Sequence, residues 1–207
     1  MKYEKYEMKD GYVINIPCPT CYKDCVKLLQ SDIYRRTGKV ESLFAIWLRT
    51  FYRRPERVHF WFRLSQHKGF LYPLCILMHR RNSHKYTILW EPTMRVGWGF
   101  FTGNATVMFI NRRAVIGNNV NLSHVLNAGS SLKQSAMIGD NVYIGPMTAL
   151  VEGVQIGHDS IIGTGSVVTR DVPANCTAVG VPAKPIGENN HPGFISKKWP
   201  LENESKQ

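Results

Sequence analysis

The sequence contains no apolar run long enough to cross a bilayer. Its longest apolar run covers only residues 70–78, and the first 17 residues hold no apolar core of signal-peptide length. These absences predict a cytoplasmic protein. With 43% apolar and 20% charged residues, the 207-residue chain has the composition of a folded globular protein.

Cysteine is also scarce, and the five cysteines form an odd number. Cys18, Cys21 and Cys25 lie close together, which does not resemble the paired framework of a disulfide-rich domain. A zinc or iron–sulfur site is one interpretation of these thiols, but Cys75 and Cys176 are too remote to supply an evident fourth ligand. Free thiols are the other interpretation, and we expect no metal cofactor.

Acidic residues are scarce mainly in the first half of the chain. Residues 1–95 hold 18 Lys and Arg against 8 Asp and Glu, whereas residues 96–207 hold 8 against 7. A basic half of this kind can face nucleic acid, an anionic membrane or a phosphorylated ligand, or it can form solvated helix faces.

The basic half has helical periodicity. Apolar residues recur at helical spacing in three stretches between residues 25 and 69, which stop at Gly38, Pro55 and Gly69. We therefore expect three or four helices before residue 85. Their aromatic and arginine side chains pack against a solenoid end or a neighbouring subunit, or make peripheral contact with an anionic membrane. They do not form a strand platform for bases, so we expect no nucleic acid partner.

The second half contains an internal repeat of six residues. A helix would need spacings of three and four, and a strand would need a longer unbroken alternation, so a period of six predicts short strands joined by tight turns in stacked coils. Each aliphatic residue of the repeat should point inward. The aliphatic positions are Ile138, Ile144, Leu150, Ile156, Ile162 and Val168.

The same register continues upstream to Ile110, with two interruptions. Ala128 and Ile138 are ten residues apart, which predicts an outward loop of four extra residues, and 14 residues replace two six-residue steps between Val96 and Ile110. Asn104 lies in the second interruption. Side chains at such interruptions leave the repeating surface and form pockets.

Residues 138–187, which end in "SVVTRDVP" and "VGVPAKPIG", resemble the hexapeptide-repeat acyltransferases. The helical segments "LLQSDIYRRTGK" and "FWFRLSQ" are similar to those of the serine acetyltransferase-like branch, which includes enzymes encoded with cell-surface polysaccharide pathways. The resemblance implies a mainly β fold, a left-handed parallel β-helix preceded by a small α-helical segment. It also implies a homotrimer that uses acetyl-coenzyme A as co-substrate.

On this reading the chain divides into three parts. Residues 1–85 form the basic α-helical segment, residues 86–187 the β-helix acyltransferase domain, and residues 188–207 a C-terminal tail.

The resemblance also implies the residues that contact acetyl-coenzyme A. They are Pro146, Thr164, Thr169, Arg170 and Lys184. Arg170 and Lys184 suit the phosphates, whereas the threonines would act by shape and backbone approach. The alternative is that these are solvated charges and turn residues.

The catalytic base is where the chain departs from the family pattern. Asn104 occupies the place of the expected histidine, and a second expected histidine would fall near Ser135. An amide can orient a hydroxyl or hold an oxyanion, but it cannot accept a proton near neutral pH. His124 is a candidate substitute base or an ordinary surface histidine. Weaker candidates are Glu91, Glu152 and His158, the last of which we expect in a solvent-facing turn.

Two hypotheses follow. In the first, the protein acetylates an amino-acid or sugar hydroxyl, a small acceptor selected by the loops at residues 98–106 and 130–137. In the second, it is a catalytically impaired homologue that retains the trimeric scaffold and binds coenzyme A or serves as a structural subunit.

Overall fold

The computed structural model describes residues 1–129, 135–189 and 192–201, and its four helices precede a parallel β-helix. The helices are α1 (Tyr22–Thr37), α2 (Leu43–Arg49), α3 (Arg54–Leu64) and α4 (Tyr72–Tyr86). The prediction of three or four helices is confirmed. None of the helices in the described part of the chain has the length and apolarity needed to span a membrane.

Gly38 and Pro55, two of the three expected helix stops, have different positions relative to the helices. Gly38 follows α1 with a φ of 75°, a left-handed conformation that costs glycine little. Pro55 does not end a helix but lies in the first turn of α3, where its missing N–H has no partner to lose. Ser42 begins α2 and accepts a hydrogen bond from the Ala45 N–H at 3.2 Å.

The segment of residues 1–85, which the sequence predicts to be α-helical, begins with two strands that were not predicted. Strands β1 (Lys2–Glu7) and β2 (Val13–Cys18) form an antiparallel hairpin. The physical reason is that side chains alternate between the two faces of β2. Ile14 and Ile16 are fully buried on one face, where they pack with Val115 of the β-helix. The division of the chain into separate domains stays a prediction.

The β-helix has three sheets, and each coil contributes one short strand to each sheet. Sheet I contains β4 (Arg95–Val96), β7 (Val115–Ile116), β10 (Met137–Ile138) and β13 (Gln155–Ile156). Sheet II contains β5 (Phe101–Thr102), β8 (Asn121–Leu122), β11 (Tyr143–Ile144), β14 (Ile161–Ile162), β16 (Cys176–Gly180) and the antiparallel β17 (Ala183–Glu188). Sheet III contains β3 (Ile88–Leu89), β6 (Met108–Ile110), β9 (Leu126–Ala128), β12 (Ala149–Leu150) and β15 (Val167–Val168).

The predicted aliphatic ladder forms the core of the β-helix. Every one of its six positions from Ile138 to Val168 is at most 3% exposed, and all belong to one continuous apolar cluster. The parallel pairing of Ile138 with Ile156 and of Ile144 with Ile162 stacks equivalent residues on successive coils. The expected mainly β architecture is therefore confirmed.

The ladder continues past both interruptions of the repeat. Eight residues, 129–136, connect β9 to β10, whereas four residues, 151–154, connect β12 to β13 on the next coil. Residues 130–134 of the longer turn, part of the loop predicted to select the acceptor, lie outside the described residues. The second interruption falls between β5 and β6, at Asn104.

Candidate functional site

The turns from sheet II to sheet III form one edge of the β-helix, here called the II–III edge. Thr102 pairs with Leu122, Leu122 with Ile144, and Ile144 with Ile162. The residues two positions after these are Asn104, His124, Pro146 and Thr164. They therefore lie along the same edge on four successive coils, and neighbouring coils are about 4.8 Å apart.

The turn that holds Asn104 is enlarged. Five residues, 103–107, connect β5 to β6, whereas three residues, 123–125, connect the paired strands β8 and β9. The Gly103 N–H still donates to the Leu122 carbonyl, so the two extra residues project from an intact ladder. Asn104 is exposed in this projection, while its neighbour Ala105 is fully buried.

His124 lies on the coil next to the Asn104 turn, at the same edge. Its backbone carbonyl accepts a hydrogen bond from the Met147 N–H at 3.1 Å, and its side chain is half-buried. Neither imidazole nitrogen has a hydrogen-bond partner among residues 1–129, 135–189 and 192–201. The His124 imidazole thus makes no hydrogen bond to the described residues of its own coil.

Three of the five expected coenzyme A residues are grouped at the II–III edge. Pro146 and Thr164 are part of its column, and Lys184 pairs with Val179 in the β16–β17 hairpin. The next residue of β16, Gly180, donates its N–H to the Ser166 hydroxyl at 3.3 Å, so the hairpin lies against the last turn of this edge. The Lys184 side chain is exposed there.

Thr169 and Arg170 are not part of this group within one chain. They follow β15, in the turns from sheet III to sheet I, here called the III–I edge. Both side chains are exposed. The expected contacts with coenzyme A therefore lie at the two opposite edges of sheet III.

Between these two edges, the described residues leave the outer face of sheet III uncovered, and this face is largely apolar. Leu89 is 63% exposed and Phe109 is 41% exposed on its strands, and Met147 is 63% exposed at the II–III edge. By contrast, the β1–β2 hairpin packs on sheet I, and α1 covers sheet II together with residues 194–199. Of the three faces, sheet III is the one that the described residues leave open.

The II–III edge is attached to the helices by buried charges that the sequence reasoning missed. The Asp32 carboxylate accepts hydrogen bonds from Arg63 Nε at 2.8 Å, Arg63 Nη2 at 2.9 Å and the Phe100 N–H at 2.9 Å. His59 links Asp32, 3.0 Å from its Nδ1, to the Thr102 hydroxyl, 2.8 Å from its Nε2. Thr102 is the last residue of β5, two positions before Asn104.

Arg36 contacts the Asn104 turn directly. Its guanidinium donates to the carbonyls of Thr102 at 3.1 Å and Gly103 at 3.4 Å, and lies 4.7 Å from the centre of the Phe101 ring. It also forms a 3.3 Å ion pair with the buried Glu56. The sequence feature that could have revealed this attachment is the presence of charged residues at inward-facing positions of α1 and α3. Charged side chains are rarely buried unless they are paired.

The weaker candidates for a base are elsewhere. His158 lies in a turn between sheets I and II, where its ring packs against the Tyr12 ring with the centroids 4.3 Å apart. Its Nδ1 lies 2.8 Å from the Asp159 carboxylate. His158 is half-buried, so the expectation of a solvent-facing turn holds only in part. Glu152 lies at the III–I edge, and Ser135, also at that edge, has a buried hydroxyl without a hydrogen-bond partner among the described residues.

A cavity of about 580 Å³ lies between the hairpin, the segment that follows α3, helix α4 and the first coil. Its lining includes Glu91, Trp90, His79 and Arg80, but none of the residues of the II–III edge. The cysteines do not complete a metal site either: nowhere in the described ranges do three His, Cys, Asp or Glu side chains group as a metal ion would require.

Comparison with known proteins yields one family and several close structures. Residues 135–170 match the family described as bacterial transferase hexapeptide (six repeats). Serine acetyltransferase 3, mitochondrial, from Arabidopsis thaliana is 37% identical over 123 residues, which are 58% of this chain and 32% of that protein. The chain thus spans about a third of the length of this curated relative.

Solved serine acetyltransferase structures share the fold. The Neisseria gonorrhoeae enzyme in complex with serine is 30% identical, with a TM-score of 0.62 over 79% of this chain and 68% of that one. The Brucella abortus enzyme in complex with coenzyme A is 26% identical, with a TM-score of 0.65 over 82% of this chain and 69% of that one.

Proposed function

Because the chain belongs to the serine acetyltransferase-like hexapeptide-repeat acyltransferases, we propose that it transfers an acetyl group from acetyl-coenzyme A to a hydroxyl. Serine is the acceptor that the relatives favour, since one of them is described in complex with serine. A sugar hydroxyl of a cell-surface polysaccharide precursor is the second acceptor to test. A cytoplasmic location stays a prediction, and the Arabidopsis relative is described as mitochondrial.

The observation that carries this proposal is the column of Asn104, His124, Pro146 and Thr164 on successive coils. Acyl transfer needs a base and an oxyanion donor within reach of one reacting carbon. His124 is a histidine, the residue type that most often serves as a general base, and it lies on the coil beside Asn104. Its imidazole has no hydrogen bond among the described residues. The II–III edge therefore carries both a candidate base, His124, and a candidate oxyanion donor, Asn104.

In the proposed reaction, His124 accepts the proton of the acceptor hydroxyl as its oxygen attacks the thioester carbonyl carbon. The Asn104 amide N–H donates to the resulting oxyanion, as an amide can. The intermediate then collapses, the carbon–sulfur bond breaks, and the leaving thiolate takes the proton back from the imidazolium. Atoms and charge balance, and the products are the acetyl ester and coenzyme A.

Acetyl-coenzyme A would occupy a groove between two copies of the chain. Pro146, Thr164 and Lys184 lie at the II–III edge, whereas Thr169 and Arg170 lie at the opposite edge of sheet III. Two copies that pack through the open sheet III faces would bring unlike edges together. We therefore propose a homotrimer, with Lys184 and Arg170 from neighbouring subunits binding the phosphates.

The second hypothesis, a non-catalytic homologue, is favoured by a different observation. Asn104 replaces the expected histidine, and Ser135 stands where the second one would lie. On this view the groove binds coenzyme A without turnover.

Kinetics and binding separate the two hypotheses. Thiol release from acetyl-coenzyme A should be measured with serine and with a panel of sugars, alongside calorimetric binding of coenzyme A. His124→Ala should lower kcat at least about 100-fold while leaving coenzyme A affinity unchanged, as expected for a lost base. His158→Ala, a histidine at a different edge, is the matched control and should retain activity.

Restoring the family residue gives an independent test. Asn104→His should raise kcat, because an imidazole at this position adds a base to an existing edge. Tight coenzyme A binding by the wild type, with no thiol release for any acceptor, would sink the enzyme hypothesis and leave the non-catalytic one standing.

A further inference from the structure

The surface around α2 is apolar, aromatic and largely exposed. Ile46 and Thr50 are the residues of this segment that point into the protein, four positions apart. The opposite face is exposed, with Phe44 at 67%, Phe51 at 63% and Tyr52 at 69%. We call this the α2 surface. Its exposed apolar members are Val40, Leu43, Phe44, Trp47, Leu48, Phe51 and Tyr52.

The α2 surface is a fixed platform. The Phe44 and Trp47 rings stack at 5.9 Å, and Trp47 meets Phe51 edge-on at 4.9 Å. Arg57 donates hydrogen bonds to the carbonyls of Thr50 and Phe51, which holds the end of α2 onto α3. An apolar face of this size, held in place and left exposed, marks an interaction site.

The charges around the α2 surface are of one sign. Residues 33–90 contain 12 Lys and Arg but only two acidic residues, Glu41 and Glu56. Glu41 is engaged by Arg49 through two hydrogen bonds of 2.8 Å, and Glu56 is 1% exposed beside Arg36. The exposed cations beside the platform are Lys39, Arg53 and Arg54.

This charge distribution argues against a two-fold contact with the same surface of a second copy of the chain. A two-fold contact places the same surface on both partners, so the cations would face each other with no free carboxylate to pair them. The partner should be anionic. Leucine and valine beside the aromatic rings suit hydrocarbon better than stacked bases, since bases stack on aromatic and not on aliphatic side chains.

We propose that the α2 surface binds an anionic lipid bilayer. The seven-residue α2 is too short to span a bilayer and would lie in the interface, with its rings at the level of the headgroups and Lys39, Arg53 and Arg54 on anionic lipid. Apolar insertion and basic attraction together give the two signals that stable peripheral binding needs. This interaction is independent of the acetyl-transfer activity.

Vesicle flotation of the full chain tests the proposal. Vesicles of phosphatidylcholine with about 30% phosphatidylglycerol should carry the protein, and pure phosphatidylcholine vesicles should carry at least about tenfold less. Phe44→Ser with Phe51→Ser, and separately Arg53→Glu with Arg54→Glu, should each lower the bound fraction about tenfold. The conservative pairs Phe44→Leu with Phe51→Leu and Arg53→Lys with Arg54→Lys should retain binding.

Tyr3→Ser with Val13→Ser is the control for location, because these exposed side chains lie on the N-terminal hairpin instead. It should float like the wild type. Light scattering and circular dichroism of each variant identify loss of fold or assembly. No flotation of the wild type, or undiminished flotation of the folded serine pair, would overturn the proposal. A lower particle mass for the serine pair, with no lipid binding by the wild type, would show that a second copy covers the surface.

Discussion

Asp32 is the buried charge on which the attachment of the helices to the first coil depends. Burial by itself would raise the pKa of this carboxyl, but the charge and hydrogen bonds of Arg63, with the hydrogen bond from His59, outweigh it and hold the pKa below its usual range. The folded state therefore favours the ionised carboxylate. Arg63, which is fully buried, depends on that charge in turn.

Asp32→Asn should lower the free energy of unfolding at pH 7 by about 3 kcal/mol, because it leaves the Arg63 charge buried and unpaired. A depressed carboxyl pKa stabilises the fold above the unfolded pKa, near 4, and this contribution is lost as the pH falls through the folded pKa. The difference between wild type and variant should therefore shrink below about pH 4.

Urea unfolding at a series of pH values measures this difference. Asp171→Asn is the matched control, since Asp171 forms an exposed 2.6 Å pair with Lys9 and should change stability by no more than about 1 kcal/mol. Equal losses in the two variants would contradict a special role for Asp32.

At the scale of the turn, two edges of the β-helix have different residue types at the positions where the backbone is left-handed. In the turns between sheets I and II, the residues with φ near 55° are Asn119, Asn141, Asp159 and Asn175, types that tolerate a left-handed backbone. At the II–III edge the equivalent residues are Val107, Val125, Met147 and Gly165. The branched side chains at this edge carry backbone strain, which is a recurrent property of functional sites.

Exchanging the residue types should reveal this strain. Val125→Asn should raise the free energy of unfolding by about 1 kcal/mol, and the reverse change at the other edge, Asn141→Val, should lower it by about 1 kcal/mol. Asn141 suits this test because its amide oxygen is buried without a hydrogen bond among the described residues. Replacing it therefore removes no such bond from this oxygen. Thermal or urea unfolding measures both. If Val125→Asn lowers the free energy of unfolding instead, the packing of the valine side chain contributes more than its backbone strain costs.

For the whole molecule, the proposed trimer depends on the face of sheet III that the described residues leave open. The β1–β2 hairpin and α1 cover the other two faces, so the described residues leave exposed apolar side chains on this one, as an association surface would have. Phe109→Glu should convert the proposed trimer to monomers, because it places a charge in the centre of that surface. Val13→Glu, which has nearly the same exposure on the hairpin, should leave the mass in light scattering unchanged.

Mixed trimers test whether the site is shared between subunits. His124→Ala and Arg170→Glu, at opposite edges of sheet III, should each be nearly inactive at low acetyl-coenzyme A. Co-expressed in equal amounts, they should recover about a quarter of wild-type activity, because that fraction of the boundaries combines two intact edges. Activity no higher than the mean of the separate variants would place both residues in the site of one subunit.

Much of this architecture could be predicted from local sequence. The ladder from Ile138 to Val168 was found because each coil needs one inward aliphatic residue at a fixed step, and Gly38 was found because a helix end favours it. The N-terminal hairpin was missed, since the burial of β2 depends on distant residues of the β-helix such as Val115, about 100 positions away. The Asp32 network was missed for the same reason, since its partners come from α3 and the first coil.

The sequence by itself determined the stacked coils, the helices before them and the departure at Asn104, because these depend on spacing and on residue type along the chain. Only the tertiary structure decided that His124 and Asn104 share one edge, that Arg170 lies across sheet III from Pro146, and that the described residues leave sheet III open. The physical reason is that edge positions depend on strand register and turn length together. Which face stays bare depends on where distant segments pack.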